Sequence, residues 1–124
     1  MATMTRVLPW RRHVAPPVEE LASLVGTYRA RHPKASPATI IDAYEVAKTA
    51  HVDQVRSSGE AYITHPLAVA GLVAELGLDE VTIAAALLHD AVEDTELTLE
   101  AVEQQFGSAI ASIVDGVTKL ERIR

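Results

Sequence analysis

The apolar stretch IAAALL at residues 83–88 constrains the fold of this chain more than any other feature. Asp79 can cap a helix that runs from Glu80 to about Val92, and the centre of that helix is apolar on nearly every side. A helix of this kind is normally the buried centre of a bundle. The sequence therefore predicts a helical bundle built around this segment.

Further helices are predicted from apolar residues at helical spacing and from start and stop signals, and no convincing strand alternation is found. The fold class predicted from this pattern is all-α. The expected helices run from Pro17 to near Arg31, from Pro37 behind a Ser36 cap to a turn at residues 57–59, from Pro66 to Gly77, from a Thr98 cap through Phe106 to Gly107, and from about Ser108 onward.

Length and charge fit one small acidic domain. The chain has 124 residues and a formal net charge of −6. Residues 1–16 hold three arginines and no acid, so we expect a flexible basic segment there and a single domain over residues 17–124. An acidic body argues against a nucleic-acid surface, so a phosphorylated substrate would need a bound cation or a few placed basic groups.

Several classes of protein are excluded or disfavoured by what the sequence lacks. It has no cysteine, which excludes disulfides, a zinc–thiolate site and a cysteine nucleophile. No apolar run approaches the length of a membrane span, and no cleavable signal sequence is evident. We therefore expect a cytoplasmic protein that contacts no membrane.

Four ionisable residues, His89, Asp90, Glu93 and Asp94, follow directly on the apolar helix in the stretch HDAVEDT. Buried charge is costly unless it is paired or bound to metal. Glu93 lies four residues after His89, and Asp94 four after Asp90, so each pair shares a helix face. Imidazole with carboxylate suits manganese, iron, zinc or magnesium-like ions. The competing explanation, an acidic helix end making surface salt bridges, is disfavoured because such acids oppose the helix dipole.

A second polar stretch, RSSGEAYITHP, occupies residues 56–66. His65 stands immediately before a predicted helix, where its ring can swing toward a neighbour, although a lone histidine here is more often structural. Gly59 lets the backbone approach a ligand closely. Arg56 can stack on a base or pair with a phosphate.

These stretches together resemble one family. The segment AYEVAKTAH at residues 43–51, the two polar stretches, Phe106-Gly107 and the segment VDGVTKL at residues 114–120 are similar, in order, to the hydrolase domain of RelA/SpoT-type enzymes of the stringent response. The resemblance runs from about Tyr28 to the last residue. It implies an HD-domain helical bundle and metal-dependent hydrolysis of the guanosine nucleotides ppGpp and pppGpp to GDP or GTP plus pyrophosphate.

The resemblance also implies roles for single positions. It leaves open whether Glu93 or Asp94 takes the proton of the attacking water, and it gives His51 a packing or supporting role. The implied roles are one manganese ion held by His65, His89 and Asp90, water activation and proton transfer by Glu93 and Asp94, and a guanosine pocket lined by Arg56, Ser58 and Gly59.

The sequence departs from the family pattern in three ways. The family often has Lys at the position of Ser57 and Pro at that of Ala61. Its fourth metal ligand is an aspartate in an LADRLHN-like motif on a later helix, and no such motif occurs before Arg124. We therefore expect a bundle incomplete at its C-terminus, with part of the apolar central helix exposed and a tendency to self-associate.

Two alternatives to this hydrolase stay open. One is an inactive, truncated module that acts by binding a nucleotide or a protein. The other is an HD-superfamily phosphohydrolase with a different nucleotide substrate, against which the RSSGEAYITHP stretch argues because a generic member of that superfamily needs no such element.

Overall fold

The protein is described from a computed structural model, which covers residues 16–52 and 63–123. Over those two ranges the chain forms six α-helices and no strand, which confirms the all-α prediction. Residues 1–15 of the expected basic segment lie outside the described ranges. The helices are α1 Pro16–Arg31, α2 Ala38–Ala50, α3 Thr64–Glu75, α4 Glu80–Asp94, α5 Leu99–Phe106 and α6 Ser108–Ile123.

Helix α4 is the centre of the bundle, as its sequence predicts. Helices α2, α3 and α6 pack against it, α1 lies on α3, and α5 lies on α6. Ile83, Leu87 and Leu88 are wholly buried, and the small side chains of Ala84 and Ala85 are buried beside them. The expectation that part of the apolar face of α4 is exposed is wrong, because three helices surround it.

The large exposed apolar side chains lie outside α4, on other helices and in the turns that follow them. Leu72 on α3 and Leu76, the residue that caps its C-terminal end, are 63% and 74% exposed, and Leu120 on α6 is 64% exposed. The backbone N–H of Leu76 donates to the Leu72 carbonyl at 3.1 Å, so the two residues lie one helical turn apart at the end of α3. None of the helices in the described ranges has the length and apolar character needed to cross a membrane.

The predicted helix ends at residues 77–79 and 98 are confirmed. Gly77 adopts φ of 83°, a left-handed conformation that glycine tolerates, and it ends α3. Asp79 caps α4 by accepting a hydrogen bond of 3.0 Å from the backbone N–H of Thr82. Thr98 caps α5 by accepting one of 3.0 Å from the backbone N–H of Ala101.

The boundaries of α2 differ from the prediction at both ends. The helix begins at Ala38, whose backbone N–H donates to the Ser36 hydroxyl at 3.1 Å, so Pro37 is the capping residue and not the first helical one. It ends at Ala50 and not near residue 57, because the chain turns at His51.

Helix α3 begins two residues before the predicted start at Pro66. The backbone N–H of Leu67 donates to the Ile63 carbonyl at 3.1 Å, which closes a turn that includes Thr64 and His65. Proline is tolerated in that first turn because its missing N–H would have no partner within the helix. His65 therefore lies inside α3, and its side chain projects from a helix.

Candidate metal centre

The C-terminal end of α4 brings together His89, Asp90 and Glu93. Each of the three offers one potential ligand atom, and these atoms lie within 4.8 Å of one another. The helix produces this arrangement because residues four apart lie one turn above each other, and adjacent residues are rotated by about 100°. His89 is buried, Asp90 is half-buried and Glu93 is exposed, so the group spans from the core to the surface.

The carboxylate of Asp90 lies between two histidine side chains from two helices. Its Oδ1 is 3.0 Å from Nε2 of His89 on the same helix. Its Oδ2 is 3.7 Å from Nε2 of His65, in the first turn of α3. The side chain of His65 is 46% exposed and that of Asp90 only 13% exposed, so solvent reaches this pair from the His65 side. One carboxylate thus links α3 and α4 at the site.

The surroundings of Asp90 favour its ionised form. The hydrogen bond from His89 holds the pKa of the Asp90 carboxyl below its ordinary value of 3.8, while partial burial acts in the opposite direction. Electrostatic interaction with His89, His65 and His51 lowers the pKa of Asp90 further. Asp90 is therefore an anionic oxygen donor at neutral pH.

The chemistry of this donor set fits a divalent metal ion. One imidazole nitrogen and two carboxylate oxygens suit manganese, iron or zinc better than a purely oxygen-liganded calcium site. Of the three predicted ligands, His89 and Asp90 belong to the close group, and His65 reaches the other oxygen of Asp90. Glu93, predicted to handle protons, lies in the group as well. The four-residue spacing from His89 to Glu93 is the signal that could have marked it as a ligand candidate.

Asp94, the second predicted proton-handling residue, lies apart from this close group. It lines an open cleft of about 900 Å³ between the C-terminal half of α2 and the connection from α4 to α5, which we call the Asp94 cleft. Two further carboxylates, those of Glu45 and Glu96, line it as well. The other lining residues are Val46, Thr49, Ala50, Val52, Thr95 and Leu97.

Comparison with known proteins identifies the family. The model of the HD-domain family matches residues 43–124, about two thirds of the chain. The chain belongs to the HD-domain family. The HD pair itself is His89 and Asp90, the most buried of the grouped donors.

The HD domain is similar to RelA/SpoT-type proteins, as the sequence motifs predict. It is 48% identical to the bifunctional (p)ppGpp synthase/hydrolase SpoT of Escherichia coli over 86% of the chain. It is 53% identical to a guanosine-3′,5′-bis(diphosphate) 3′-pyrophosphohydrolase of Haemophilus influenzae over 64% of the chain. It is 48% identical to a probable GTP pyrophosphokinase of Mycobacterium leprae over 98% of the chain. The chain spans only 15%, 12% and 15% of the lengths of these relatives.

Two sets of predicted residues of the HD domain remain. Arg56, Ser58 and Gly59 lie outside the described ranges, so their assignment to a guanosine pocket stays a prediction. His51 caps the C-terminal end of α2 and is 2% exposed.

Proposed function

We propose that this HD domain catalyses metal-dependent hydrolysis of ppGpp and pppGpp to GDP or GTP plus pyrophosphate, with Mn²⁺ as the ion. One observation carries the proposal: the donor atoms of His89, Asp90 and Glu93 lie within 4.8 Å of one another. Similarity to relatives named for (p)ppGpp hydrolysis supports the substrate.

The proposal assigns His65, His89 and Asp90 as the ligands of the ion. The contacts of Asp90 with both histidines support this assignment, because its two oxygens face one imidazole each. A bound divalent ion would lower the pKa of a water molecule and offset the charge of the 3′-diphosphate. The guanosine moiety is assigned to Arg56, Ser58 and Gly59 on the resemblance alone.

In the proposed reaction, a water oxygen attacks the phosphorus esterified to the ribose 3′ oxygen. The bond between that phosphorus and the 3′ oxygen breaks, pyrophosphate leaves, and the 3′ oxygen gains a proton. We assign Glu93 as the acceptor of the water proton, because its carboxylate lies in the donor group, whereas Asp94 lines the neighbouring cleft. A carboxylate within reach of the attacking water can act as a general base.

The name GTP pyrophosphokinase, carried by the relative from Mycobacterium leprae, denotes a different activity. The imidazole–carboxylate group favours hydrolysis for the present chain. Phosphoryl-transferring enzymes rely on positioning of the nucleotide phosphates by basic or glycine-rich elements. A His–Asp–Glu group instead suits metal-assisted activation of water.

The test is pyrophosphate release from ppGpp in the presence of Mn²⁺, compared with Asp90→Ala. We expect turnover by the wild-type chain and a loss of at least ~100-fold in the variant, since perturbing residues outside the ligand sphere alone costs about 10- to 100-fold. Asp42→Ala is the matched control, because Asp42 is an exposed aspartate on α2. The proposal fails if folded wild-type protein releases no pyrophosphate, or if Asp90→Ala turns over as fast as the control.

A further inference from the structure

The Asp94 cleft carries negative charge and exposed apolar surface to which the proposed reaction assigns no role. Its three carboxylates belong to the exposed residues Glu45, Asp94 and Glu96. Among the described residues that line it, none is basic. Val52, which is 73% exposed, gives the cleft an open apolar edge. The cleft therefore suits a cationic segment that also carries a large apolar side chain.

Residues 1–15 have the complementary composition. They hold three arginines, Arg6, Arg11 and Arg12, and no acid, whereas the whole chain has a formal net charge of −6. They also hold the single tryptophan of the chain, Trp10, directly before two of those arginines. The guanidinium group pairs with carboxylates through several N–H donors, and tryptophan buries a large apolar area on contact. Charge and apolar character thus both match the cleft.

The direction of α1 decides where this segment enters the fold. The Tyr28 hydroxyl donates to the Glu80 carboxylate at 3.1 Å, so the C-terminal end of α1 lies at the N-terminal end of α4. Arg31, the last residue of α1, lies against Gly77, which ends α3. Because α1 packs on α3 and both helices end here, they run in the same direction. Helix α1 therefore begins toward the end of the bundle that holds His65.

That end of the bundle also holds the Asp94 cleft. A helix rises about 1.5 Å per residue, so Pro16 lies roughly 18 Å along α1 from Tyr28, and Asp94 roughly 21 Å along α4 from Glu80. Fifteen extended residues span up to about 50 Å, so length does not limit the reach of residues 1–15. A short tether gives an effective concentration of about millimolar, so contacts too weak to join separate molecules can hold a segment of the same chain.

We propose that residues 1–15 dock in the Asp94 cleft of the same chain, with their arginines against its carboxylates and Trp10 against its apolar edge. The competing occupant within the chain is residues 53–62, which continue from Val52. That stretch contains two acids and a single arginine, so charge favours residues 1–15. The inference does not depend on the proposed function, because docking is measured without metal or substrate.

Trp10 reports docking directly, because the chain has no other tryptophan. The experiment measures quenching of its fluorescence by acrylamide, a neutral quencher, in the full chain. The cleft variant is Glu45→Lys/Glu96→Lys. The matched control is Asp42→Lys/Glu103→Lys, which changes the net charge by the same amount at exposed positions outside the cleft.

We expect stronger quenching in the cleft variant than in wild type, because each exposed ion pair that is lost weakens docking by about 1.5- to 5-fold. Reversal of the segment charge in Arg11→Glu/Arg12→Glu should expose Trp10 as well. Combination of the two double substitutions should restore protection of Trp10, since the charges then match again with their signs exchanged. The control should be quenched like wild type.

Equal quenching of wild type and the cleft variant overturns the proposal, and so does a control that exposes Trp10 as much as the cleft variant does. Protection that rises with protein concentration also overturns it, because the segment would then lie on a neighbouring copy. Circular dichroism shows whether each variant keeps its helices. If the cleft variant unfolds, Arg11→Glu/Arg12→Glu decides alone, since it leaves the cleft intact: increased quenching supports the proposal and unchanged quenching refutes it.

Discussion

The two ends of α4 place carboxylates in opposite electrostatic settings. At the N-terminal end, Asp79 accepts hydrogen bonds from the backbone N–H and the hydroxyl of Thr82, at 3.0 Å and 2.9 Å. At the C-terminal end, Asp90 meets the imidazoles of His89 and His65. Both aspartates have a pKa below 3.8, but the first owes it mainly to a backbone amide and the second mainly to a histidine.

Carboxylates at the N-terminal end of α4 stabilise the helix, whereas carboxylates at its C-terminal end destabilise it. A carboxylate at a helix N-terminus interacts favourably with the helix dipole, and one in the last turn interacts unfavourably, each by about 0.3–1 kcal/mol. Helix α4 ends with Glu93 and Asp94 in its last turn and has no basic residue there. Acids in that unfavourable position are expected where they take part in metal binding or catalysis.

The largest expected effect is on catalysis, from Glu93→Gln. Removal of a general base typically lowers kcat by about 10²- to 10⁴-fold. The same change removes an acid from the helix C-terminus, so the free energy of unfolding should rise by about 0.3–1 kcal/mol. Pyrophosphate release from ppGpp measures the first effect and chemical denaturation the second.

A control for Glu93→Gln is Glu103→Gln, because Glu103 is an exposed glutamate on α5. It should leave the turnover rate unaffected. If Glu93→Gln keeps wild-type kcat, the proton acceptor is another group, and Asp94→Asn becomes the next variant to measure. If Glu93→Gln lowers both turnover and the free energy of unfolding, Glu93 stabilises the fold, and the claim that it serves catalysis at the expense of stability is contradicted.

A smaller effect, confined to stability, is expected for Asp79→Ala. Loss of a capping side chain costs about 0.5–2 kcal/mol, because the backbone N–H of Thr82 loses its acceptor. Thermal or urea unfolding should register this loss, while the Kd for Mn²⁺ stays at the wild-type value. A changed Kd would show that the two ends of α4 are coupled. It would contradict the assignment of the N-terminal end to stability alone.

The smallest effect is on pH dependence, in Asp79→Asn. A pKa lowered in the folded state means that ionised Asp79 adds stability above the ordinary value of 3.8, which is lost as pH falls through the lower folded value. Asparagine caps a helix about as well but does not titrate. Unfolding measured from about pH 5 downward should therefore show a shallower loss of stability in the variant than in wild type. Parallel curves would assign the acid sensitivity to other carboxyls.

Local signals predicted much of the fold. The apolar centre of α4, the caps Asp79 and Thr98 and the stop at Gly77 depend on residues close in sequence, and the structure confirms each of them. The close group on α4 was also predictable, because the spacing of His89 and Glu93 is set by the helix alone.

Features that depend on packing between helices were not predictable in the same way. The contact of His65 with Asp90 joins α3 to α4, and the sequence supplied only the resemblance that suggested it. The end of α2 at Ala50 and the full covering of α4 were missed, because both depend on how neighbouring helices dock. Periodicity extends through His51, so it cannot show where the chain turns.

From the exposed leucines at the C-terminal end of α3, we expect this acidic protein to associate in a way that depends on ionic strength. Leu72 and Leu76 form an apolar spot on a molecule with a formal net charge of −6. At low salt, repulsion between like-charged copies opposes contact through that spot. Salt shortens the reach of the repulsion to about 10 Å at 0.1 M and leaves the attraction between apolar surfaces intact. Sedimentation at increasing salt should therefore show more association, and Leu76→Lys should suppress it.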